Sequence, residues 1–131
     1  MSENHGKVWW NELNTNDVEG AKAYYGATLG WSFDEMPMGD TGAVYNVAKL
    51  GDQMVAGIFD TSAMPGMENV PAHWFTYFAV DDVDAAAAAT AAAGGHVKRE
   101  PWDVEGVGRI ASVQDPTGAT MGLMTPSEPA G

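Results

Sequence analysis

The chain has 131 residues, 45% of them hydrophobic and 18% charged, which suits a single domain with a core of its own. It contains no cysteine, so disulfides, thiolate metal sites, iron–sulfur clusters and cysteine nucleophiles are excluded. Eighteen acidic residues against six basic ones give a net charge of -12, and only Lys98 and Arg99 are adjacent bases, so neither nucleic acid nor an anionic membrane is an expected partner.

The alternating, aromatic-rich run Val8 to Thr15 predicts a first strand. Asp17, with Gly20 three residues later, is a helix N-cap, and Ala21, Tyr24, Tyr25 and Leu29 form the expected apolar stripe. Gly30 sits where a left-handed C-cap is wanted. Strands are then expected at Trp31 to Met36, Val44 to Leu50 and Met54 to Phe59, with a turn at Gly51-Asp52. A linker follows, Asp60 to Pro71, whose Met64 and Met67 suit gap-filling. Beyond it come a strand at Trp74 to Val80, an N-cap at Asp82 and an alanine-rich helix closed by Gly94-Gly95. Strands at His96 to Glu100, Arg109 to Gln114 and Thr120 to Met124 complete the chain, the last two joined by Asp115-Pro116-Thr117-Gly118. Gly106-x-Gly108 reads as a flexible turn rather than a phosphate cradle. The N-terminus shows neither a basic region nor an apolar run, and Ala85 to Ala93 is too short to span a bilayer, so a soluble, cytoplasmic protein is expected.

The two halves repeat. Shifting the sequence by 65 residues matches Trp9 with Trp74, Asp17-Val18 with Asp82-Val83, Gly30 with Gly95 and Gly57 with Gly122. Thirteen identities in 66 pairs are few for an alanine- and glycine-rich chain, so the argument rests on their order. The expectation is one α+β domain, residues 1–131, of two βαβββ repeats at about 7–60 and 72–125. Such units, side by side, form a curved eight-stranded cup-shaped sheet with the helices outside.

The segments Trp10-x-Glu12-Leu13-x-Thr15-x-Asp17, Leu29-Gly30-Trp31, Val80-Asp81-Asp82-Val83-Asp84-Ala85 and Asp115-Pro116-x-Gly118-Ala119 resemble the vicinal oxygen chelate superfamily. That superfamily includes glyoxalase I, extradiol dioxygenases, methylmalonyl-CoA epimerase and the fosfomycin and bleomycin resistance proteins; the likeness here is to a generic glyoxalase-like branch. The resemblance implies one divalent ion in the cup, held by His, Glu or Gln from the first and last strand of each half. Carried over by register, those positions fall on Trp10, about Gly57, Phe75 and Gly122, and none can ligate a metal. A slip of one residue brings in Asn11 or Thr76 and still assembles no set. No cofactor is therefore expected, and a displaced divalent metal is the alternative. Glu12 and His73 are its best donor pair, with Asp60 nearby, while His5 and His96 read as exposed.

Strand alternation predicts a cup lined by Trp10, Glu12, Asn14, Tyr45, Phe75, Tyr77 and Met124, with room left by Gly57 and Gly122. Trp102, expected on a loop, would cover its mouth. Arg109 is either a further ligand contact or a surface ion pair. Glu12, His73 and Tyr77 are the candidate catalytic residues, Glu12 as a base, as an anchor, or paired with Arg109 or His73. Three readings stand. One is a metal-independent protein binding a small organic molecule, and another is a metal-dependent lyase, isomerase or dioxygenase with displaced ligands. The third is a module whose aromatic side chains simply plug the cup. The resemblance also implies a homodimer.

Overall fold

A computed structural model describes residues 3–37, 44–62, 66, 69–104 and 107–126. The linker methionines Met64 and Met67 and the turn glycine Gly106 lie outside them. Among the described residues, eight strands and two helices make the chain α+β. They run β1 (Val8–Thr15), α1 (Val18–Leu29), β2 (Ser32–Pro37), β3 (Val44–Leu50) and β4 (Gln53–Asp60), then β5 (His73–Ala79), α2 (Val83–Ala92), β6 (His96–Val104), β7 (Gly108–Gln114) and β8 (Thr120–Pro126). No helix among the described residues is long and apolar enough to cross a membrane.

The chain divides into two compact units: Trp10–Trp74, and Phe75–Gly131 together with the residues up to Trp9. We call them the first and second halves. In the first, the strand order is β2-β3-β4-β1, with β1 and β4 parallel and the other pairs antiparallel. In the second it is β5-β8-β7-β6, again with the first and last strands of the unit parallel. The repeat is exact in register: Glu12 lies opposite Gly57 and Tyr77 opposite Gly122, each pair 65 residues from its counterpart.

Both helices start where the sequence places them. Asp17 Oδ1 accepts the Gly20 N–H at 2.9 Å, and Asp82 Oδ1 accepts those of Asp84 and Ala85 at 3.0 and 3.2 Å. Gly30 ends α1 at φ 72°, a conformation costly for any side chain with a Cβ. The apolar stripe of α1 needs correction. Tyr24 and Leu29 are exposed, whereas Val18, Ala21, Lys22, Tyr25 and Gly26 form the half-buried face, spaced by three and four residues. Lys22 tolerates this because its aliphatic stem packs while its Nζ reaches Glu19 and Glu35, both at 3.7 Å. Tyr25 instead joins Trp31 and Trp74 in an aromatic cluster, and the Trp74 Nε1 donates to its hydroxyl at 3.1 Å.

β6 is four residues longer than expected and puts Trp102 on a strand, not a loop. Its register with β7 shifts twice, and Pro101 is accommodated because β6 is the edge of its sheet, where a missing N–H breaks no ladder. In the second half, Val80, Val83 and Ala111 make the buried core, with Ala86 and Leu123 against it. In the first, Leu13, Asn46, Ala48, Ala56 and Ile58 are buried, and α1 packs against β2 and β4. Ile58→Ala should therefore cost about 3 kcal/mol in denaturant unfolding, against less than about 0.5 kcal/mol for Leu50→Ala on the surface.

Candidate functional site

The polar centre of the first half is built on the face opposite its buried core. Trp10 and Glu12 are two apart on β1 and share that face, and Tyr45 reaches them across β4. The Tyr45 hydroxyl accepts from Trp10 Nε1 at 3.0 Å and donates to Glu12 Oε2 at 2.8 Å. The reach is possible because β4 presents Gly57 beneath the ring. A Cβ at that position would overlap both the Tyr45 hydroxyl and its ring. Gly57 therefore does not leave the open space that its small size suggests; the tyrosine already fills it.

Glu12 is half-buried. Burial disfavours its charged form and raises its pKa, and the Tyr45 hydrogen bond opposes this more weakly. Its partner is neither Arg109 nor His73. Arg109 clamps the exposed Asp84 through Nε and Nη2, at 2.8 and 3.0 Å, and reaches Asp103 at 3.3 Å. It thus ties the start of α2 to β6 and β7, the surface ion pair that was one of its two readings. His73 is exposed, with Nδ1 2.9 Å from the Pro71 carbonyl oxygen, which fixes the ring proton on Nδ1. Asn14 is half-buried opposite Phe59, on the Glu12 face.

The second half repeats the geometry without the polarity. Phe75 and Tyr77 meet edge to face at 5.0 Å, and their rings fill the space that a Cβ on Gly122 would take. Gly122, like Gly57, is therefore covered rather than open. Met124 follows on the same strand face and is buried, at 5% exposed. Trp102 is half-buried, with the Arg99 guanidinium 3.5 Å over its ring. His5 and His96 are exposed, and His5 Nδ1 accepts the Asp81 N–H at 2.9 Å.

Sequence reasoning placed Trp10, Glu12 and Tyr45 on one wall but did not find the hydroxyl that links them. The signal was available in the pairing of a strand glycine with a long aromatic side chain two strands from a carboxylate. No such signal announces the arrival of Trp74 at Tyr25 and Trp31, since it lies more than forty residues further along the sequence.

The donor set does not fit a divalent ion. Glu12 Oε2 accepts from Tyr45, and among the described residues no group of three or more His, Asp or Glu side chains could hold a metal with it. Gly57→Ala should destabilise the fold by about 2 kcal/mol, and Tyr45→Ala in the same chain should restore at least about 1 kcal/mol of that in a double-mutant cycle. The raised pKa of Glu12 means the folded state retains its proton at pH values where the unfolded chain has lost it. Its contribution to stability is thus present at low pH and is lost as pH rises through the folded value. Glu12→Gln should raise the melting temperature at neutral pH, and the gain should shrink as pH falls toward about 4.3, the ordinary glutamate value.

The sequence pattern of the Glyoxalase/Bleomycin resistance protein/Dioxygenase superfamily matches residues 8–123. The chain is 44% identical over 122 residues to "Putative glyoxylase CFP32" of Mycobacterium bovis, covering 93% of this chain and 45% of that protein. It is 33% identical over 129 residues to the anthracycline biosynthesis protein DnrV of Streptomyces peucetius, covering 90% and 46%. The chain thus spans less than half the length of these curated relatives. Among solved structures, methylmalonyl-CoA epimerase from Mycobacterium tuberculosis shares the fold at a TM-score of 0.65 and 17% identity, covering 98% of this chain and 93% of that one. A hypothetical protein from Bacillus halodurans, BH1468, does so at 0.72 and 10%, covering 96% and 98%. The match along almost the whole sequence, together with the repeated βαβββ units, shows that the chain belongs to the glyoxalase/bleomycin resistance protein/dioxygenase superfamily.

Proposed function

We propose that this protein binds a small organic molecule without the help of a metal ion, on the Glu12 face of its first half. One observation carries the reading: Glu12 is held by the Tyr45 hydroxyl, itself held by the Trp10 indole, rather than by basic or imidazole partners that would organise it as a ligand to metal. A part-buried carboxyl with a raised pKa, flanked by an indole and a phenol, is the usual anatomy of a small-molecule site: apolar walls with a few convergent polar groups. The relatives are consistent with this choice of ligand class. DnrV is named an anthracycline biosynthesis protein, and one epimerase neighbour was solved in complex with methylmalonyl-CoA. The name of the 44% identical relative points instead to a glyoxalase-type activity, and metal content separates the two readings.

In this reading Glu12 anchors a hydrogen-bond donor of the ligand, and its raised pKa lets it take up a proton closer to neutral pH than an exposed glutamate does. The other candidates from the sequence, Asn14, His73, Phe75, Tyr77, Trp102, Arg109 and Met124, have no part in this step. The homodimer implied by the superfamily belongs to the same proposal and is checked by light scattering.

Untagged protein purified without chelators should carry less than about a tenth of an equivalent of any divalent metal by mass spectrometry. Ligands found by thermal-shift screening should lose at least about tenfold in affinity on Glu12→Ala, with the fold intact by circular dichroism. A tightly held equivalent of metal, or ligands indifferent to Glu12, would overturn the reading.

A further inference from the structure

The hydroxyl of Tyr45 occupies a slot with a strict requirement. It must accept a proton from the Trp10 indole and give one to the Glu12 carboxylate. A hydroxyl does both; a carbonyl or ether leaves Glu12 unpaired, and an ammonium leaves the indole unpaired. Leaving either group buried and unsatisfied costs more than the bond it would have made. The slot also demands a flat ring, because only the absence of a Cβ at Gly57 makes space above β4.

Beside Tyr45 the same sheet face opens. A groove of about 580 Å³ is lined by Asp34, Met36, Val47, Lys49 and Met54, among others. Met36 is the cross-strand partner of Tyr45, and Val47 lies two residues beyond it on β3, opposite Gly57. Met36 and Met54 are 50% and 59% exposed, an unusual presentation of two thioethers, which adapt readily to an aromatic ring. The groove lies on the β2 side of Tyr45, away from Gly57 and Glu12, and is open surface toward which a displaced ring could turn.

We propose that the ligand of this face is a phenol, and that Tyr45 is its stand-in. The ligand's hydroxyl would take the position between Trp10 and Glu12, its ring would lie over Gly57, and the displaced tyrosine would turn toward Met36 and Met54. This rests on the functional reading above and adds the class of molecule. It also makes Tyr45 the residue that sets specificity: every ligand must repay the two hydrogen bonds it displaces, so molecules without a hydroxyl are rejected.

The test uses p-cresol, the tyrosine side chain itself, against 4-methylanisole, its methyl ether, which can accept but not donate. The readout is the Trp10 indole N–H resonance, identified through Trp10→Phe. In Tyr45→Ala, p-cresol should bind at least about tenfold tighter than the ether and shift that resonance, and adding Glu12→Ala should abolish the preference. The wild type should show the same preference, with p-cresol weakened at least about tenfold relative to Tyr45→Ala by competition from its own side chain. If Tyr45→Ala fails to fold, Tyr45→Phe replaces it: the ring still covers Gly57 but has lost the hydrogen bonds to Trp10 and Glu12 that hold it there, so p-cresol should displace it more readily and bind tighter than to wild type. Equal binding of p-cresol and the ether overturns the inference. So does p-cresol binding to Tyr45→Ala with none to the wild type, which would make Tyr45 a permanent plug. A Glu12-dependent ligand without a hydroxyl, found by thermal-shift screening, would also overturn it while leaving the functional reading intact. Failure of both probes in every folded variant, with no Glu12-dependent ligand from the screen, would remove both.

Discussion

A tyrosine hydroxyl shared between an indole and a carboxylate organises the first half of this protein. Tyr45 spans β4 only because Gly57 has no side chain, and Glu12 tolerates partial burial only because Tyr45 donates to it. Three residues from three strands are thereby fixed relative to one another, with Trp10 saturating the same oxygen. The arrangement is economical in polar groups, and among the described residues no three His, Asp or Glu side chains gather as a divalent ion would need.

The two halves show how one repeat can carry two kinds of wall. The register is conserved between them, Glu12 with Gly57 and Tyr77 with Gly122, and in both the glycine is covered by aromatic side chains. The replacement of a glutamate by a tyrosine at equivalent places changes the outcome. In the second half Tyr77 itself packs over its partner glycine against Phe75, and the wall is closed and apolar. In the first, the covering ring comes from β3, and the residue opposite the glycine stays available as an acceptor. Divergence at two equivalent positions, Glu12 against Tyr77 and Tyr45 against Ile110, thus separates the two walls.

Much of the fold was legible because its signals are local. Asp17, Gly30, Asp82 and the Asp115 turn each act through neighbours a few residues away, and Asp115 Oδ1 does collect the N–H groups of Thr117 and Ala119. Strand alternation likewise put Trp10, Glu12 and Asn14 on one face. What failed was long-range or depended on an edge. The stripe of α1 was misassigned because tyrosine and leucine count as apolar by type, while the buried face in fact includes Lys22 and Gly26. Trp102 was read as a loop residue because Pro101 forbids a central strand but not an edge strand. The glycines were read as vacancies because a sequence cannot show which distant ring arrives to fill them.

The edge position of β6 bears on self-association. An unpaired row of N–H and C=O groups invites a second chain to extend the sheet. β6 removes the invitation three times over: Pro101 deletes a donor, two shifts of register break the straight ladder, and the Arg99 guanidinium caps the Trp102 ring. Added to a net charge of -12, these features oppose open-ended stacking of one molecule on the next. The irregularity of β6 thus acts as a guard against fibrous self-assembly, built into the strand that would otherwise seed it.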